Sequence, residues 1–154
     1  MNKWIFASLL AALPATFVAA APPARPIVNP IAFEIDGRSD LADQPETVFQ
    51  LRIDNTWTYR VMQRGQLVRE TQGTLPVKTA VNLRAHLASA TWTTGHAEVR
   101  CMAYSANYRE YRVRGVLVYT QRLCDGQVLD DASAAALAEA NALVGPLVGP
   151  LVRE

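Results

Sequence analysis

Reactive side chains are scarce in this sequence. It has two histidines and two cysteines in 154 residues. Two histidines are thin material for a zinc site, and neither His-Glu-x-x-His nor Cys-x-x-Cys occurs. A Gly-x-Ser-x-Gly elbow and a glycine-rich phosphate loop are missing as well. The sequence therefore offers no foothold for a metal or a cofactor, and none is expected. An excess of charge of one sign is also lacking. Lys and Arg number 15 against 14 Asp and Glu. That balance argues against nucleic acid, or an acidic membrane surface, as a bulk electrostatic partner.

What is present begins with an address. Lys3 is the only charge before Arg25, and the apolar run Trp4 to Ala12 follows it. Pro14 ends the run, and small residues Val18, Ala19, Ala20 and Ala21 come next. A positive start, a short apolar middle and a small-residue cleavage site are the three parts of a secretory signal. Residues 1–20 are expected to be removed after Ala20, which leaves a periplasmic or secreted chain. The apolar run is too short for a membrane anchor, which needs about 20 apolar residues. No membrane insertion is expected after cleavage. Loss of Lys3 drops Lys plus Arg from 15 to 14, equal to the 14 acidic residues.

An exported chain meets an oxidising compartment, so Cys101 and Cys124 read as one disulfide. Closing a loop of that length is worth about 3 kcal/mol in the chain-entropy account. The rival reading is a catalytic Cys–His pair with His96 or His86, although no activating motif surrounds either cysteine.

The pattern along the chain is that of a small α+β domain. Residues 21–46 hold a proline-rich linker (Pro22, Pro23, Pro26, Pro30) and a first strand from Ile31, with a turn at Asp36-Gly37. The folded core is expected to start near Thr47 and to span 47–146, with a tail at 147–154. Phe49, Leu51 and Ile53 alternate with Gln50, Arg52 and Asp54, the period of a half-buried strand. Trp57, Tyr59 and Val61 do the same, and Arg64-Gly65 marks a turn into a third strand, Gln66 to Glu70. Thr74 can cap a helix from Pro76 to Ala90, with Ala80, Leu83 and Leu87 on one face. Thr91 to Gly95 reads as the loop out. Glu98 to Tyr104 reads as a strand carrying Cys101, Ser105-Ala106-Asn107 as a turn, and Tyr111 to Arg122 as strand-rich. After a turn at Asp125-Gly126, Asp131 can cap a second helix that ends at Gly145-Pro146. Tyr59-Arg60-Val61 and Tyr111-Arg112-Val113 open two similar hairpin–helix stretches, a weak internal repeat. Strands, helix, strands, helix suits an antiparallel sheet with both helices on one face.

Few residues suggest chemistry. His96 with Glu98 could form a general base and its orienter, or His96 could be a solvated loop residue. His86 needs no role beyond the helix edge. Asp130 and Asp131 open a helix, where carboxylates satisfy free N–H groups, so capping is preferred over a glycosidase pair. The run Tyr104, Asn107, Tyr108, Arg109, Tyr111 combines tyrosine and arginine beside a turn, the side chains that anchor protein interfaces. It is the candidate partner contact; the alternative is a set of cross-strand pairs on an exposed sheet face. Trp57 and Trp92 are expected in or beside the core.

The pieces Ile53-Asp54-Asn55-Thr56-Trp57-Thr58-Tyr59, Gly73-Thr74-Leu75 and Leu83-Arg84-Ala85-His86-Leu87 carry a distant resemblance. The layout from Phe49 to Val144 is similar to the emfourin-type inhibitors of thermolysin-like metalloproteases. The resemblance implies a binding protein rather than an enzyme, with no inhibitory residue carried over. The expectation is a non-enzymatic exported binding domain, an inhibitor or immunity-type protein with a protein partner. A small periplasmic hydrolase using His96 and a structural envelope protein are the alternatives.

Overall fold

The computed structural model describes residues 30–98 and 105–148. The expected signal, the expected linker up to residue 29, the tail from residue 149, Cys101 and Tyr104 lie outside the described residues, as does most of the strand expected at Glu98 to Tyr104.

The protein is α+β, with an antiparallel six-stranded sheet and two helices. In chain order the elements are β1 (Ile31–Ser39), β2 (Glu46–Arg52), β3 (Thr56–Gln63), β4 (Gln66–Thr74), α1 (Val77–Ser89), β5 (Thr94–His96), β6 (Asn107–Val113), β7 (Val116–Arg122), β8 (Gln127–Leu129) and α2 (Asp131–Val148). The main sheet runs β4-β3-β2-β1-β6-β7, and β5 and β8 form a separate two-stranded ribbon.

The register explains the core. Phe33 lies opposite Leu51 and Val113, and Ile35 opposite Phe49 and Tyr111. Phe49 and Leu51 in turn face Tyr59 and Trp57. Side chains alternate across a strand, so these residues share one face. That face is buried under Ala80, Leu83 and Leu87 of α1 and Ala136, Leu137, Ala140 and Val144 of α2. The three- and four-residue spacing read in Ala80, Leu83 and Leu87 is thus the stripe that meets the sheet.

Several expectations shift. The folded unit begins well before Thr47: β1 sits in the middle of the sheet, paired on both edges. Asp36-Gly37 is strand, opposite Val48 and Thr47, not a turn. Ile53 lies past the end of β2 and is exposed. Thr74 does not cap α1; it is the last rung of β4, opposite Thr56, and Pro76 holds the cap position. Thr94 to His96 of the expected loop form β5, opposite Leu129 to Gln127.

The second helix is capped by Asp130 rather than Asp131. Asp130 Oδ1 accepts the Ser133 backbone N–H at 3.0 Å and Oδ2 accepts the Ser133 hydroxyl at 2.7 Å. Oδ2 also accepts the Thr93 N–H and the Thr91 hydroxyl, each at 3.0 Å, so one carboxylate ties the loop after α1 to the start of α2. These bonds to the charged form hold its pKa down at about 2. Nor does α2 stop at Gly145-Pro146: it runs to Val148 with Pro146 inside. So near the helix end, Pro146 forfeits one backbone bond, while Leu143, Val144 and Leu147 pack on the core.

Candidate functional site

Four strand ends meet at one end of the sheet. Thr47 of β2 lies opposite Gly37 of β1, Gly37 opposite Arg109 of β6, and Arg109 opposite Gln121 of β7. This row continues the helix-facing side one step beyond Phe49, Ile35, Tyr111 and Tyr119. It borders a cleft of about 330 Å³.

Glycine at position 37 shapes this end of the cleft. A Cβ there would come within 2.3 Å of Thr47 Oγ1, so only a residue without one leaves the hydroxyl its place. Thr47 is otherwise buried, at 6% exposure. Beneath the row, the fully buried Tyr111 sends its hydroxyl to Gln121 Oε1 at 2.9 Å. The rim is braced by ion pairing and stacking. Arg122 lies 4.1 Å over the Tyr108 ring and meets Asp40 at 3.0 Å. The Asp40 N–H donates to the Ala106 carbonyl at 2.9 Å, which ties the β1–β2 loop to the start of β6.

Of the expected contact residues, Asn107, Tyr108 and Arg109 come together on this cleft. They are not at a loop tip: they open β6, between β1 and β7. Asn107 is exposed, and Tyr108 and Arg109 are half-buried. Tyr111 leaves the set, because its ring is wholly within the core and stacks on Tyr119. Cys124 lines the cleft as well, with a left-handed φ of 74°. Gly37, Gln44, Thr47, Gln121 and Arg122 were not singled out from the sequence. Gly37 carried the one usable sign, since a glycine inside a strand pattern marks close approach of a neighbour.

The other polar cluster lies on the face of the sheet opposite the helices. Arg112 contacts Asp36 and meets Glu110 at 2.6 Å and Glu34 at 3.6 Å. Burial pushes the Asp36 carboxyl up and the charge of Glu34 adds to this, against the opposing pull of Arg112 and Arg38.

His96 is exposed on β5 and does not line this cleft. His86 joins the two helices through Nδ1 to Glu139. Trp57 is buried, and Trp92 is half-buried at the core edge, its indole N–H donating to the Leu87 carbonyl at 3.2 Å. Among the described residues no helix is long and apolar enough to cross a membrane. No protein-family model, no curated protein and no solved structure matches this chain.

Proposed function

We propose that this is an exported, non-enzymatic binding domain that holds a protein partner at the β1–β2–β6–β7 end of its sheet. The inhibitor or immunity-type role belongs to the same proposal. The observation that carries it is the braced cleft itself, where Tyr108 and Arg122 are stacked beside Asn107 and Arg109. Aromatic and arginine side chains fixed before binding lose little freedom on contact, and such residues dominate interface energies. The surroundings of His96 lend nothing to the hydrolase reading.

Export and the disulfide belong to this proposal too. A Cys101–Cys124 bridge would close a loop that ends beside the cleft, where Cys124 sits. Thiol labelling of the protein from its native compartment should find no reactive cysteine; two labelled thiols would overturn the bridge.

A photo-crosslinking residue at Asn107, which is exposed, tests the binding role in native cells. The expected result is one dominant protein adduct, weakened at least about tenfold by Tyr108→Ala, the loss of an anchor worth over 1 kcal/mol. No adduct, or one indifferent to Tyr108→Ala in a folded variant, would reject the reading.

A further inference from the structure

On the face of the sheet opposite the helices lies a shallow basin of about 510 Å³. Glu34, Asp36 and Gln50 form its polar end, and Val48, Met62 and Leu67 its apolar wall. Among the described residues, Glu34, Asp36 and Glu110 at the polar end are paired with two guanidinium groups, those of Arg38 and Arg112. Arg60 also lines the basin, and its guanidinium is engaged by Glu70 at 2.6 Å.

One atom marks where a ligand belongs. Asp36 is only 4% exposed, and among the described residues its buried Oδ1 has no hydrogen-bond partner. Arg112 and Arg38 both address Oδ2. A buried carboxylate oxygen left unpaired is costly, and native folds supply such groups with a partner. Arg38 is the loosest neighbour: its side chain is 42% exposed and touches Asp36 and Glu110 only at 3.5 and 3.4 Å, so it can give way to an entering cation.

We infer that this basin receives a primary ammonium on an aliphatic stem: the lysine side chain of a protein, its stem along Val48, Met62 and Leu67 and its ammonium between Asp36 and Glu34. The acceptors select ammonium over guanidinium. Asp36 Oδ2 is taken, and Glu34 Oε2 accepts the Gln50 amide at 2.6 Å, so no carboxylate offers both oxygens to a planar fork. A compact ammonium with three rotatable donors can use one oxygen from each. Long aliphatic stems with charged tips settle on surfaces of this mixed kind. Arg38 also lines the cleft at the end of the sheet, so the two sites adjoin at that one side chain.

Backbone-assigned 15N–1H spectra of the purified protein provide the test. The probes are Nα-acetyl-lysine N-methylamide, its norleucine counterpart, and putrescine. The lysine probe should give saturable shifts at the amides of residues 34–36 and 48–50, and the norleucine probe none. Glu34→Gln keeps the shape of a side chain that is 16% exposed and should weaken the lysine probe about tenfold, the loss of one charged hydrogen bond. Absence of saturable shifts at those amides, equal binding of norleucine, or unchanged affinity in a folded Glu34→Gln protein would overturn the inference. Tighter binding of putrescine than of the lysine probe would overturn the assignment to a protein side chain.

Discussion

Asp130 shows how much one side chain can organise. It accepts from Ser133, Thr91 and Thr93, and each of those bonds prefers the ionised carboxylate. Its folded pKa, about 2, is below the unfolded value, so its contribution is complete above the ordinary carboxylate pKa. The contribution is lost as pH falls towards 2. Denaturation midpoints measured from pH 6 down to pH 2 should fall, and Asp130→Ala should lower the midpoint at pH 6 while flattening this dependence. An unchanged acid limb in the variant would contradict the assignment. Tyr111 supplies a second check. Tyr111→Phe keeps the buried ring and loses only the bond to Gln121, so urea denaturation should report a loss of about 0.5–1.5 kcal/mol. The sequence placed Tyr111 on a contact surface because tyrosine and arginine cluster there beside a turn. Periodicity does not say which face of such a strand a helix will cover, and here the covered face is the tyrosine's.

At the scale of elements, the paired hairpins are the most legible feature. Arg64-Gly65 and Arg114-Gly115 both turn with positive φ at both positions, 51° and 75° in the first, 50° and 79° in the second. That is the two-residue turn whose twist matches its strands. Arginine bears a cost there that asparagine largely escapes. Arg114→Asn should therefore stabilise the protein by about 0.5–1 kcal/mol, and Gly115→Ala should destabilise it by about 1–2 kcal/mol, both by urea denaturation. The weak repeat seen in the sequence corresponds to these hairpins, β3–β4 and β6–β7, at opposite ends of the sheet. Helix α1 was legible because Ala80, Leu83 and Leu87 recur at helical spacing on a polar background. β1 was legible as a strand but not as the central one, because Ala32 and Phe33 are both buried beside a register shift and blur the alternation. β5 and β8 left no signal at all: three residues each, with little burial, give no period to read.

For the molecule as a whole, sheet order decides where stability resides. Among the described residues, β1 and β2 are hydrogen-bonded on both edges, whereas β4 and β7 are bonded on one only. Nearly every residue of β4 is exposed. Amide exchange should release β4 and β7 first and protect Phe33, Ile35 and Leu51 longest, near the global unfolding limit. Equal protection of β4 and β1 would refute that ranking. The candidate cleft was only half legible for the same reason. Asn107, Tyr108 and Arg109 are neighbours in the chain and could be grouped by eye, but Thr47, Gly37 and Gln121 reach them only through cross-strand registry.

The central position of β1 also bears on the time course of assembly. A chain that emerges from its amino end can zip β1 to β2 early, across a short gap. The other side of β1 must wait for residues 107–113, from 68 positions later for Ser39 and Asn107 to 80 for Phe33 and Val113, before its unpaired amides are matched. Until then the hydrophobic sheet has an open seam at its middle, sticky towards other strands. Closing that seam is a long-range event, so the last step to the native state should be slow relative to hairpin formation and vulnerable to mispairing.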